Sequence, residues 1–162
     1  MGLLHIYDDD DFRMSIMPKR RDAQATVPVA GGPLKLVEHL DAIVKSGWHF
    51  NRVLFETHGG PGVIGFGDED IDARWLRSLN GRGYEAICEA NTRLYFNGCN
   101  VAEGDDGWDF LRAAAEVFLI ANGGIAFGHT SSGFANPLDG HVVHPWGDTR
   151  HVVMARGGDA RR

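Results

Sequence analysis

Two short apolar segments constrain the fold of this chain most strongly, because each runs directly into a loop that contains glycine and a polar residue. Residues 52–57 read Arg-Val-Leu-Phe-Glu-Thr and continue into His58-Gly59-Gly60. Residues 92–96 read Thr-Arg-Leu-Tyr-Phe and continue into Asn97-Gly98-Cys99. Short apolar runs bounded by glycine are typical of strands buried inside a parallel sheet. The two segments therefore predict neighbouring core strands of an α/β domain.

The rest of the chain alternates short apolar runs with amphipathic stretches, as α/β domains do. Further strands are predicted at 3–7, 63–66, 125–128, 142–143 and 151–155, and helices at 33–47, 71–79 and 107–121. The segment from the acidic run after residue 7 through Pro28 to Gly32 is predicted to be a loop. We expect a single domain over 1–162, with a mainly parallel central sheet and helices on both faces.

Composition and charge narrow the classes of partner. The chain has 162 residues and a formal net charge of −6, which argues against nucleic acid as a partner because phosphate binding relies on clustered Lys and Arg. No apolar run approaches the roughly 18–20 residues of a membrane span, and the run Asp8–Asp11 stands where a signal peptide would be apolar. With only two cysteines, a reducing compartment is expected, and we predict a cytoplasmic protein.

The two segments that follow the strands contain the residues whose side chains could be reactive. Ligands of open parallel sheets bind beyond the carboxyl ends of the strands, so His58 and Cys99 are expected at one edge. A cysteine nucleophile needs a nearby imidazole for proton transfer and backbone N–H groups for the oxyanion. The amides of Gly59 and Cys99 are the candidate oxyanion donors. The missing Cβ atoms of Gly59 and Gly60 would let a substrate carbonyl approach closely.

The segment Thr57-His58-Gly59-Gly60-Pro61-Gly62 is followed by Gly98-Cys99-Asn100-Val101-Ala102, which places Cys99 41 residues after His58. This pair of motifs resembles the caspase-like cysteine peptidases, a group that includes caspases, metacaspases, clostripain-like enzymes, separases and CHAT domains. Residues 50–129 carry nearly all of the resemblance. The Gln-Ala-Cys-Arg-Gly context of animal caspases is absent, so the likeness does not imply cleavage after aspartate.

The resemblance implies a caspase-like sandwich fold and a cysteine endopeptidase that acts on a protein or peptide through a thioester intermediate. It assigns His58 as general acid/base, Cys99 as nucleophile and Gly59 as oxyanion donor. It also allows an activating partner or domain. A catalytically inactive domain of the same fold, used as an interaction module, stays open as an alternative, because catalysis depends on fine positioning.

Several members of the group prefer Arg or Lys before the scissile bond and bind it with acidic side chains. Asp8 and Asp10 are candidates for this role here, together with Gly60 and His129 as further lining of the substrate cleft. An exposed acidic turn and a loosely bound calcium ion are the other interpretations of Asp8–Asp11.

The remaining cysteine and histidines suggest no further site. Cys88 has no reactive partner in the pattern and is expected to be structural. Among His129, His141, His144 and His151, the middle two are three residues apart and would point to opposite faces of a strand. No metal site and no resident cofactor are therefore predicted, and Trp108 and Trp146 are expected to be packing residues.

Overall fold

The computed structural model describes residues 2–11, 20, 22–135 and 142–162. The strands, numbered in chain order, are β1 Leu3–Asp8, β2 Ala23–Val29, β3 Phe50–Glu56, β4 His58–Gly60, β5 Val63–Phe66, β6 Glu69–Asp72, β7 Cys88–Phe96, β8 Gly124–His129, β9 Phe134–Ala135, β10 Val142–Val143, β11 Thr149–Met154 and β12 Ala160–Arg161. The helices are α1 Pro33–Ser46, α2 Ala73–Arg77 and α3 Gly104–Phe118, with a 3₁₀ turn over Tyr84–Ile87.

Seven strands of the described chain form the main sheet, in the order β12-β11-β8-β7-β3-β1-β2. The five strands from β8 to β2 in this order are parallel, whereas β11 and β12 are antiparallel additions at one edge. Phe55 of β3 pairs with Ile6 on one side and Phe96 on the other, so the central strands end together. The predicted α/β class with a mainly parallel central sheet is confirmed.

The three helices of the described residues lie on one face of the sheet. Buried side chains of α1, α2 and α3 join one core cluster with Leu4, Phe55, Leu94 and Ala126, which share one face of the sheet. The reason lies in the strand order. The crossovers β2 to β3, β3 to β7 and β7 to β8 all advance in the same direction, and right-handed crossovers that advance in one direction lie on one face.

Strand β2 was predicted to be a loop because of Pro28. It is the edge strand of the sheet, where the missing N–H of a proline costs no ladder hydrogen bond. The predicted helix over 71–79 is shorter, because Asp72 ends β6 and caps α2 by accepting a 2.7 Å hydrogen bond from the Trp75 amide. Helix α3 begins at Gly104 rather than residue 107 and ends at Phe118.

Aromatic side chains hold the carboxyl ends of β3 and β7 against the helical layer. The rings of Phe55 and Phe96 stack with centroids 5.1 Å apart, and Phe110 of α3 meets Phe96 edge-on at 4.9 Å. All three rings are buried, so the two strand ends that precede the glycine loops rest on a rigid base. Within the part of the chain that the structure describes, none of the helices has the length and apolar character of a membrane span.

Candidate active site

Strand β4, which follows β3, touches the loop after β7 through its backbone at the carboxyl edge of the sheet. A Cβ atom built on Gly59 would lie 2.9 Å from the carbonyl oxygen of Cys99 and 3.0 Å from the Cα of Gly98. A Cβ on Gly98 would lie 3.1 Å from the carbonyl oxygen of His58. Because both positions lack a Cβ, the backbones on either side of His58 and Cys99 can approach this closely. The sequence expectation that the two residues emerge at one edge agrees with this arrangement.

The glycine at position 59 has a different structural reason from the one predicted. Its missing Cβ makes room for the Cys99 loop and for the Val101 side chain, whose Cγ2 would lie 2.6 Å from an added Cβ. The space is thus filled by the protein itself and not left open for a substrate carbonyl. Gly60 pairs with Val63 in the β4–β5 hairpin and does not line the acidic cleft described below.

The turn after Cys99 has an unusual backbone conformation. Asn100 adopts a φ of 58°, in the left-handed region that asparagine tolerates better than most residues with a side chain. Its amide donates a 3.0 Å hydrogen bond to the carbonyl of Ser131. The amide N–H of Cys99 has no hydrogen-bond partner among the described residues. An oxyanion donor must be an N–H that no protein acceptor occupies, and the Cys99 amide meets this condition within the described residues.

The His58 and Cys99 side chains contact different neighbours. The His58 side chain is 53% exposed, and its Nε2 atom contacts a carboxylate oxygen of Asp11, whose side chain is 13% exposed. The Sγ atom of Cys99 accepts a 3.4 Å hydrogen bond from the amide of Gly133. No hydrogen bond joins His58 to Cys99 in the described chain.

An acidic cleft of about 560 Å³ opens beside His58. Five carboxylates line it with His58 and three glycines: Asp8, Asp10, Asp11, Asp68 and Glu69. No Lys or Arg of the described chain lines this cleft. Asp8 and Asp10 were predicted to lie near the site. Asp68 and Glu69 were missed because they lie on the β5–β6 turn and at the start of β6, and nothing in the local sequence links these positions to the end of β1.

The carboxylates of this cleft differ in their environment. Asp8 is 1% exposed, and its Oδ1 accepts hydrogen bonds from the amides of Gly67 and Asp10, at 3.2 and 3.1 Å. Burial raises the pKa of Asp8 above its ordinary value, and these two amide hydrogen bonds oppose the shift. The Oδ2 of Asp10 accepts a 2.6 Å hydrogen bond from the amide of Gly31. Both side chains therefore help to shape the floor of the cleft.

His129 lies at the end of β8, outside the lining of the acidic cleft. Its ring stacks on that of His144, with centroids 3.6 Å apart and planes 8° from parallel. Burial and the neighbouring His144 lower the pKa of His129 to about 4. The Nδ1 atom of His144 contacts the carbonyl oxygen of Ser131. The same oxygen accepts a hydrogen bond from the Asn100 amide, so the stacked pair borders the Cys99 loop. His141, the other histidine considered for metal binding, lies outside the described residues.

Exposed apolar side chains border the Cys99 loop on the side of Gly133. Phe134 is 57% exposed and meets the Trp146 ring edge-on at 5.8 Å, while Trp146 itself is 66% exposed. The prediction that Trp146 is a packing residue is therefore wrong. Trp108 does pack, half-buried, against the Arg150 guanidinium 5.1 Å from its ring centre.

Two findings bear on what the site holds and resembles. No group of three or more His, Cys, Asp or Glu side chains is arranged to hold a metal ion, as far as the described residues extend. No protein-family model matches this chain, and no curated protein matches it.

Proposed function

We propose that this protein is a cysteine endopeptidase of caspase-like fold, with Cys99 as nucleophile and His58 as general acid/base. The observation that carries the proposal is the backbone contact between strand β4 and the Cys99 loop at the carboxyl edge of β3 and β7. There a Cβ on Gly59 would lie 2.9 Å from the Cys99 carbonyl oxygen. Both reactive side chains are at least partly exposed at this edge, as a substrate requires.

The proposed reaction is acyl transfer in two steps. His58 takes the thiol proton of Cys99, and the sulfur attacks the carbonyl carbon of the scissile peptide bond. The amides of Cys99 and Gly59 donate to the oxyanion, and His58 then gives its proton to the leaving amine. Water, deprotonated by His58, hydrolyses the thioester, which releases the acid product and restores the thiol.

The acidic cleft supports a preference for Arg or Lys immediately before the scissile bond. It adjoins His58 and carries five carboxylates, and the described chain supplies no Lys or Arg to its lining. A bidentate guanidinium or an ammonium would offset this negative charge, whereas an aspartate side chain would add to it. Asp8 and Asp10 would act here as substrate-binding residues.

A catalytically inactive interaction module is the second candidate, and one observation favours it. The His58 ring contacts Asp11, and no hydrogen bond joins it to Cys99 within the described residues. A dyad held in this way would need a rotation of the Cys99 side chain toward His58 before proton transfer. An activating partner or domain would be one means of producing that rotation.

The test is a positional peptide library incubated with wild-type protein and with Cys99→Ala, with Cys88→Ala as the matched cysteine control. We expect cleavage after Arg or Lys by wild type and Cys88→Ala, and none by Cys99→Ala. Cleavage by Cys99→Ala at the wild-type rate would refute the assignment of Cys99 as the nucleophile. Absence of cleavage by wild type, with the folded state intact by circular dichroism, would favour the interaction module.

A further inference from the structure

The contact between Asp11 and His58 involves one ring nitrogen. The Asp11 carboxylate meets Nε2, while Nδ1 makes no hydrogen bond within the described chain. A carboxylate accepts only, so this contact requires a proton on Nε2. In the neutral imidazole, the lone pair then lies on Nδ1.

We propose that Asp11 is a positioning residue that fixes the His58 ring and its tautomer, so that Nδ1 is the atom that exchanges a proton with Cys99. This inference rests on the proposed function, and it adds a third member to the predicted dyad. Asp11 would also stabilise the imidazolium that forms when His58 takes the thiol proton, as a buried acid does in other nucleophile–histidine–acid arrangements.

Asp11 differs from the other four carboxylates of the cleft. The carboxylate oxygens of Asp8 and Asp10 accept hydrogen bonds from backbone amides, and neither residue forms an ion pair with His58. Asp68 on the β5–β6 turn and Glu69 at the start of β6 are both exposed. Only Asp11, among the described acidic residues, pairs with the His58 ring, and its side chain is far more buried than that of His58. Burial restricts the carboxylate, so it can hold the more exposed ring in one orientation.

Kinetics separate positioning from simple charge. Asp11→Asn should lower kcat for an arginyl peptide by about 10²-fold or more, because the amide can donate to Nε2 and stabilise the wrong tautomer. Asp11→Glu should recover part of this loss. Asp68→Asn removes the same charge from the same cleft without touching His58, so it should raise KM and leave kcat close to wild type. If Asp11→Asn, like Asp68→Asn, raises KM and leaves kcat unchanged, the positioning role is wrong.

Nuclear magnetic resonance tests the tautomer without depending on cleavage. Protein labelled with ¹⁵N-histidine is examined at alkaline pH, where an imidazole is neutral, and the His58 signals are assigned by their loss in His58→Gln. We expect the Nε2-protonated tautomer in wild type and in an Asp9→Asn control, and a mixture of tautomers in Asp11→Ala. A wild-type ring protonated on Nδ1, or a tautomer unchanged by Asp11→Ala, would overturn the proposal.

The two experiments fail in different ways. If wild type cleaves no peptide, the proposed function fails, but the NMR tautomer still decides whether Asp11 orients His58. If wild type cleaves and Cys99→Ala does not, yet Asp11→Asn matches Asp68→Asn, the peptidase assignment stands and the role of Asp11 is rejected.

Discussion

The two ends of strand β7 place cysteine in opposite environments. Cys88 begins the strand, is 2% exposed, and burial raises the pKa of its thiol to about 12. The side-chain amide of Asn122 donates a 2.8 Å hydrogen bond to the Cys88 carbonyl, and the Thr92 hydroxyl donates to the Phe50 carbonyl at 2.8 Å. Cys99 follows the strand on a partly exposed loop, and its amide has no partner in the described chain.

The two edges of the parallel sheet therefore differ in how their polar groups are satisfied and in their access to water. At the amino edge, side chains of neighbouring segments satisfy the backbone and seal the thiol from water. At the carboxyl edge, glycine loops leave an amide, a thiol, an imidazole and a row of carboxylates within one region. The Cys99 amide has no partner in the described chain, and a ligand could supply one at that edge, which is where open α/β sheets bind ligands.

The largest expected effect is the difference in alkylation between the two cysteines. Iodoacetamide at about pH 8 should modify Cys99 at least about 10³-fold faster than Cys88, since a thiol with a pKa of about 12 is almost entirely protonated there and also needs an opening of the fold. Peptide mass spectrometry after timed quenching measures both rates. Comparable alkylation rates of Cys88 and Cys99 in the native protein would contradict the difference in environment between the two edges of the sheet.

A methyl group at position 59 tests how closely the site loops must pack. Gly59→Ala should destabilise the protein by about 2–4 kcal/mol, because the new Cβ meets Val101 and the Cys99 carbonyl. Gly158→Ala is the matched control near the amino edge, where an added Cβ has nothing within 4 Å, and it should change stability by less than about 0.5 kcal/mol. Urea unfolding measures both, and a neutral Gly59→Ala would contradict the described loop contact.

The stacked histidines should make the carboxyl edge sensitive to acid. The pKa of His129 is about 4 in the folded protein, below the ordinary value of 6.5 that applies when unfolded. As pH falls from 6.5 toward 4, the unfolded chain takes up the proton first, so the folded state loses stability across this window. Between about pH 7 and pH 4.5, wild type should lose about 1–2 kcal/mol more than His129→Gln, after allowance for partial exposure.

Urea unfolding at both pH values, with His151→Gln as a control for an exposed histidine of the same sheet, measures this difference. Equal acid sensitivity of wild type and His129→Gln would show that the stacked pair does not disfavour the protonated ring.

The smallest effect is expected at the buried cysteine. Cys88→Ala should cost about 1 kcal/mol, because it removes one packed sulfur atom from the core and no reactive group. Thermal unfolding measures the cost, and any peptidase activity should persist. A loss of activity in a variant that is still folded would contradict the structural role given to Cys88.

The central strands were predictable because the signal is local. Apolar runs that end at His58-Gly59 and Gly98-Cys99 specify buried strands without reference to the rest of the chain. The segment His58–Gly60 was expected to be a loop, but it forms strand β4, which pairs with β5. Strand β2 was missed because Pro28 and alternating exposure mark an edge strand, and edge status depends on strand order. The placement of the three described helices on one face depends on strand order as well.

The nonlocal part of the site could not be predicted from the sequence. Asp68 joins the acidic cleft only because the β4–β6 hairpins fold back against the end of β1. The pairing of Asp11 with His58, and the stacking of His129 on His144, depend on side-chain directions that residue spacing does not specify. Loop contacts between distant elements leave no periodic pattern for sequence analysis to detect.

We propose above that Cys99 and His58 act together on a substrate with a basic side chain. The most direct measurement treats wild type, His58→Ala and Cys99→Ala with a peptidyl-arginine acyloxymethyl ketone, and with its aspartyl counterpart, followed by intact-protein and peptide mass spectrometry. We expect a single adduct on Cys99 of the wild-type protein, and we expect the arginyl probe to form it faster than the aspartyl probe. The adduct should be nearly absent in His58→Ala. An adduct that forms equally fast in His58→Ala, or on Cys88, would contradict this proposal.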